Sequence, residues 1–133
     1  MNKPLVGVRI LDLTHMLAGP YAGMILADLG AETIKVEPLA GEGTRQLLAT
    51  DPENSLNGMG AYYLTLNRNK KSVAVDLKSE SGMAVFSRLV EASDIVLSNF
   101  AAEVPQRLGL DFETLSQVNP RIITCTVTGY GSE

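Results

Sequence analysis

The segment Asn67-Arg68-Asn69-Lys70-Lys71-Ser72-Val73-Ala74-Val75-Asp76-Leu77-Lys78 sets a short cationic cluster directly against an apolar, β-branched run, then closes on an aspartate and a lysine. On a chain of net charge -4, such a cluster points to a bound anion, because focused charge acts locally whatever the total. A solvated turn leading into a strand is the plainer reading of Lys70 and Lys71, and the residues alone leave both open. His15 is the one histidine. Beside a strand end it reads as a hydrogen-bonded structural residue before a general base. Glu37 follows a strand where an acid would grip a ribose hydroxyl. The first turn, however, reads Met16-Leu17-Ala18-Gly19-Pro20 and lacks G-x-G-x-x-G, which argues against conventional dinucleotide binding. No Cys/His cluster has metal-ligand spacing, so no metal is expected, and no G-x-S-x-G elbow occurs.

The elements that must carry these residues follow from the apolar pattern. Val8 to Leu13 reads as a strand, Thr14 to Pro20 as a turn, and Tyr21 to Leu29 as a helix. Pro20 suits the first helical position and Gly30 the C-terminal cap. Thr33 to Val36 is a second strand, completing a βαβ unit whose strands should be parallel with a right-handed crossover. Leu39 to Leu66 is rich in turn formers, with Gly41, Gly43 and a helical turn over Thr44 to Leu48, and predicts an irregular surface excursion. Ser72 to Asp76 is a third strand. Ser79 or Ser81 caps a helix through Met83, Phe86, Leu89 and Val90. Ile95 to Ser98 is a fourth strand, and Val104 to Leu108 a short helix. Asp111 caps a helix through Leu115 and Val118 that Asn119-Pro120 stops, and Ile122 to Thr128 is a fifth strand.

About five strands separated mostly by helices mean an α/β fold with an open parallel sheet and flanking helices. Ligands of such sheets bind beyond the carboxyl ends of the strands. The candidate site is therefore the set of loops after them: His15 to Pro20, Glu37 and Pro38, Asp76 to Lys78, Asn99 to Ala101 and Gly129 to Gly131, with Arg107 just beyond the fourth.

Composition sets the outer bounds. The chain has 133 residues, 45% hydrophobic and 20% charged, which is one ordinary globular domain's worth. A pI near 5.0 argues against a general nucleic-acid binder. No apolar run approaches the roughly 20 residues of a membrane span, and the start, Met1-Asn2-Lys3-Pro4, lacks the pattern of a secretory signal. Cys125, the single cysteine, reads as a small buried hydrophobe. A reducing cytoplasm fits these features. The chain stops in a Gly-rich loop, Gly129-Tyr130-Gly131-Ser132-Glu133, directly after a strand, as the front part of a longer chain would.

Several segments, taken in order, resemble the class III CoA-transferases, the family of formyl-CoA and carnitine CoA-transferases and of α-methylacyl-CoA racemase. They are Pro4-Leu5-Val6-Gly7-Val8-Arg9-Ile10-Leu11-Asp12-Leu13-Thr14, Ala18-Gly19-Pro20, and Leu26-Ala27-Asp28-Leu29-Gly30-Ala31-Glu32-Thr33-Ile34-Lys35-Val36-Glu37-Pro38. The loop Gly41 to Arg45, the segment Asn67 to Lys78, and Asp94-Ile95-Val96-Leu97-Ser98-Asn99-Phe100 follow. Arg107-Leu108-Gly109-Leu110, Asn119-Pro120-Arg121-Ile122-Ile123 and Gly129-Tyr130-Gly131 complete the series. The match covers essentially the whole chain and is weakest from Gln46 to Gly60.

The resemblance implies that residues 1–133 are the CoA-binding, Rossmann-like N-terminal part of the family's large domain, truncated at its C-terminus, in an enzyme that is an interlocked homodimer when full length. Its substrates would be an acyl-CoA and a carboxylic acid. Position by position, Leu17 and Ala18 would line the CoA site, and Pro38 falls at the adenosine end, where some relatives carry an arginine. Val75, Asp76, Leu77, Lys78, Asn99, Phe100, Ala101 and Arg107 match the other CoA-contacting positions. Cationic groups at the rim, Lys78 and Arg107 with Lys70 or Lys71, would meet the phosphates of CoA. Glu37 would sit badly beside a phosphate and is expected to point elsewhere or bond a hydroxyl. In the family an aspartate attacks the acyl thioester, giving an acyl–enzyme anhydride and CoA thiolate. That aspartate lies beyond Gly129-Tyr130-Gly131, so no catalytic residue is expected here. An acyl-CoA racemase of the same superfamily, or a non-catalytic nucleotide-binding module, are the alternative readings.

Overall fold

The computed structural model describes residues 3–131, so Met1-Asn2 and Ser132-Glu133, at the two ends discussed above, lie outside the described residues. Five parallel strands form one sheet in the order β5-β2-β1-β6-β7: β1 (Arg9–Asp12), β2 (Glu32–Glu37), β5 (Lys71–Ala74), β6 (Ile95–Ser98) and β7 (Ile123–Thr126). A two-stranded hairpin, β3 (Ser55–Leu56) with β4 (Met59–Gly60), stands apart from it. The helices are α1 (Ala18–Asp28), α2 (Ala61–Leu66), α3 (Glu80–Glu91), α4 (Glu103–Leu108) and α5 (Phe112–Val118). The expected open α/β sheet is thus observed.

The alternation along β1 decides which face each helix covers. Leu11 and Leu13 enter the larger core with Val36, Val75, Val96, Phe86 and Val90 of α3 and Leu115 of α5. Ile10 joins Ala31 and Leu97 on the opposite side, against Ala22 and Leu26 of α1. Both faces are covered, as a parallel sheet requires. Helix ends follow their local chemistry. Ser79 accepts the Gly82 N–H and Asp111 the Thr114 N–H, the caps expected from sequence. Gly30, with φ +107°, closes α1 in the left-handed conformation that suits glycine.

Four expectations need correction. Pro20 is the third residue of α1 and not the first, which its missing N–H still tolerates because the first turn has no intrahelical acceptors. The span Leu39 to Leu66 is not simply irregular. It holds a 3-10 turn (Gly43–Arg45), the small hairpin and α2, whose Tyr63 and Leu66 are buried. Strand β5 begins one residue early, at Lys71, and ends at Ala74. Cys125 is exposed, because β7 is the edge of the sheet among the described residues and no element lies over Ile123 and Cys125.

The strand order runs outward from β1 to β2 and β5, then returns to β6 and β7 on the other side. The direction of winding therefore reverses between β1 and β6. That is where the loops at the carboxyl ends part and leave a crevice.

Candidate functional site

The two loops that flank the reversal are Leu13 to Leu17 after β1 and Asn99 to Ala101 after β6. The Asn99 side chain joins them: its Oδ1 accepts the His15 N–H at 2.8 Å, and its Nδ2 donates to the His15 carbonyl at 2.8 Å. The His15 and Phe100 rings meet with centroids 5.3 Å apart. Burial and the Lys35 ammonium lower the imidazole pKa from its ordinary 6.5, so the ring is neutral at pH 7. His15 is thus held through its main chain, and its ring forms a wall with Phe100.

Behind this wall lies a cavity of about 350 Å³. Pro38, Val75, Asp76, Leu77, Lys78 and Phe100, all expected at the site, line it. Leu13, His15, Val36, Glu37, Leu39 and Leu108 complete its largely apolar surface. Lys78 is exposed at its rim. An adjoining cavity of about 360 Å³ shares Phe100 and is lined by Asn99, Ala101 and Thr128 to Gly131. The remaining expected residues stand outside both. Leu17 and Ala18 are exposed at the start of α1, and Arg107 is exposed in the last turn of α4, next to Leu108. Neither Lys78 nor Arg107 makes an ion pair among the described residues.

The cationic cluster at the start of β5 is tied up in ion pairs. Arg68 pairs with Asp28 and Lys71 with Glu32, both at the surface. Lys70 is buried: its Nζ lies 2.7 Å from Asp12 Oδ2 and also donates to the Pro20 carbonyl and Asn67 Oδ1. Burial lowers the Lys70 pKa while the Asp12 carboxylate opposes the shift. Gly23 makes room for this pair, since a Cβ there would lie 2.5 Å from Asp12 Oδ2 and 3.2 Å from Lys70 Nζ. Sequence proximity gathered these cations, but each pairs with a carboxylate, Lys71 sharing Glu32 with Arg9.

Glu37 is occupied by partners within the protein. Its carboxylate accepts Arg45 Nε and Nη2, each at 2.7 Å, the Tyr63 and Ser72 hydroxyls and the Glu42 N–H. Burial pulls its pKa upward, but the Arg45 guanidinium, the two hydroxyls and the N–H prevail and hold it at about 2. Burial, and then the Glu37 charge, raise the Tyr63 phenol pKa. Glu37 also lines the cavity, and the hydroxyls that its carboxylate accepts are the protein's own.

Two further buried charges escaped the sequence reading. Lys35 and Glu42 face one another at 3.5 Å, and Lys35 donates to the Thr14 carbonyl. The available signal was Lys35 itself, a charged residue inside a strand whose both faces are covered. Such a residue needs a buried partner. No group of His, Cys, Asp and Glu among the described residues is arranged to hold a metal. No helix among them is long and apolar enough to cross a membrane.

A crevice at a sheet's winding reversal, with an apolar wall and an open cation at its rim, suits a ligand with a flat or aliphatic body and anionic groups. Comparison with known proteins agrees in kind. Residues 5–133 match the model of CoA-transferase family III. The chain is 43% identical over 136 residues to a succinate–glutarate CoA-transferase of Agrobacterium fabrum, covering 98% of this chain and 33% of that protein. It is 45% identical over 130 residues to the succinyl-CoA:glutarate CoA-transferase of Homo sapiens, covering 97% and 29% respectively. Among solved structures, a CAIB/BAIF family protein from Brucella suis superposes with a TM-score of 0.90 at 38% identity, over 100% of this chain and 35% of that one. The chain thus spans about a third of the length of these relatives.

Proposed function

The chain belongs to CoA-transferase family III, and on that premise we propose that it is the CoA-binding N-terminal segment of an enzyme that moves CoA between an acyl-CoA donor and a carboxylic acid. The observation that carries this reading is the apolar cavity at the carboxyl ends of β1, β2 and β5, closed by Phe100 after β6 and by Leu108. Lys78, which makes no ion pair among the described residues, stands at its mouth, with Arg107 nearby. Adenine and the pantetheine arm supply the flat and aliphatic bodies for the walls formed by Val75, Leu77 and Phe100. The 3′-phosphate and pyrophosphate supply the anions for Lys78 and Arg107. Asn99 and Ala101 of the adjoining cavity, with Leu17 and Ala18 at the start of α1, extend the surface along which the thiol end would run. Pro38 contributes an apolar edge only.

No residue of this chain is assigned to bond making. By the family resemblance the nucleophilic carboxylate follows Gly129-Tyr130-Gly131, and the contribution here is to bind and orient the thioester. The proposed setting is the cytoplasm, supported by the lone cysteine, and the proposed assembly is the family's interlocked homodimer. Succinyl-CoA with glutarate is the pair to try first, since two relatives are named for it. The test is transfer of CoA between these two by the full gene product, followed by chromatography of the CoA esters. Formation of glutaryl-CoA, or of another acyl-CoA across a panel of acids, supports the reading. Exchange of the α-proton in deuterated solvent without any transfer would replace it by a racemase.

A further inference from the structure

Lys35 and Glu42 line neither cavity, and their side chains are 1% and 2% exposed. Two charges so completely removed from water are costly unless they are paired and hydrogen-bonded. Their partners lie on the site loop. Lys35 Nζ donates to the Thr14 carbonyl at 2.8 Å. Glu42 Oε1 accepts the Met16 N–H at 3.1 Å, while Oε2 accepts the Thr44 hydroxyl at 2.6 Å. Between them, Asn99 holds both the N–H and the carbonyl of His15. Asp12 Oδ1 takes the Thr14 N–H at 2.9 Å. The main chain of Thr14-His15-Met16 is therefore held by side chains rather than by a backbone ladder. Met16 is meanwhile kept at φ +68°, a conformation that side-chain-bearing residues seldom adopt without support.

We propose that Glu42 and Lys35 are positioning residues of the acyl-CoA site. They clamp the main chain on both sides of His15 and so fix the His15–Phe100 wall against which the ligand packs. The inference rests on reading the crevice as the CoA site. The clamp is anchored in turn, since Glu42 N–H donates to Glu37 Oε2 at 2.9 Å and Glu37 is held by Arg45. Through this chain of buried charges, the excursion after β2 governs a loop it does not cover. A preformed wall spares the ligand the entropy of ordering it, so loosening the clamp should appear in binding before it appears in chemistry.

Glu42→Gln in the full gene product tests this. Glutamine keeps an oxygen for the Met16 N–H but leaves Lys35 without a counter-charge. Three quantities are read: hydrogen exchange of the peptide covering residues 13–18, CoA affinity by calorimetry, and KM against kcat for acyl-CoA. The expected result is loop exchange faster by about tenfold, Kd and KM raised by about tenfold with kcat little changed, and unaltered exchange in β6. Thr44→Val, which removes only one hydrogen bond to Glu42, should move the same readouts less. It carries the same test should Glu42→Gln not fold. Unchanged loop exchange overturns the clamp, and faster exchange with unchanged Kd and KM overturns its role at the site. A wild-type protein that binds no CoA defeats the functional reading and the site role together. Slow exchange lost in the variant would still establish the clamp in that case.

Discussion

Lys70 and Lys78 stand at opposite ends of β5 and meet opposite fates. Before the strand, Lys70 is buried on Asp12, and its neighbours Arg68 and Lys71 are tied to Asp28 and Glu32. After the strand, Lys78 is exposed at the mouth of the cavity with no ion pair among the described residues. Lys78 follows β5 and falls on the side where a parallel sheet's ligand crevice opens, whereas Lys70 precedes it and its ammonium is taken up by Asp12, the last residue of β1. Charge density along the sequence is thus a poor guide to an anion site. What counts is the end of the strand on which a cation falls and whether a carboxylate already holds it.

The largest effect that would break this contrast is on stability. Lys70→Met leaves Asp12 buried without its cation and should cost about 3–5 kcal/mol, read as a lower urea midpoint at constant slope. A change near zero would mean that Lys70 is not structural and return it to the pool of ligand contacts. Acid titration gives the next largest effect. The Glu37 carboxyl has a folded pKa of about 2 against an ordinary 4.5. Its contribution is fully present above pH 4.5 and is lost as pH falls through the folded value. It amounts to at most about 3 kcal/mol. Glu37→Gln should therefore flatten the stability profile between about pH 4.5 and 2. An unchanged profile would remove Glu37 from the buried network. Lys71→Ala gives the smallest effect, since its pair with Glu32 is exposed, and should change stability by about 0–1 kcal/mol.

Much of the fold was legible because it rests on local rules. Apolar runs gave the five strands, Ser79 and Asp111 gave helix starts, and Gly30 a helix end. The excursion from Leu39 to Leu66 was not, because its order depends on distant partners. Tyr63 of α2 is fixed by Glu37, and Gly60 lies so close to the Leu47 carbonyl that a Cβ would not fit. Cys125 misled for a related reason, since a β-branched run looks alike in a central strand and at an edge. At the site, the cavity-lining stretch Val75 to Lys78 with Phe100 could be reached from strand ends and family resemblance. Lys35 signalled only that a buried partner must exist, and Glu42 could not be identified as that partner, because the pairing exists only where the loops after β1 and β2 meet.

On the proposed function, CoA is gripped at the carboxyl end of β5 and not by the cluster at its start. Calorimetric titration of CoA into the full gene product compares three proteins: wild type, Lys78→Ala/Arg107→Ala, and Arg68→Ala/Lys71→Ala. Each lost charged hydrogen bond is worth roughly 1.5–3 kcal/mol. The first double variant should therefore weaken binding by about a hundredfold or more, and the second by less than about twofold. Wild-type affinity in Lys78→Ala/Arg107→Ala, with binding lost in Arg68→Ala/Lys71→Ala, would contradict the account.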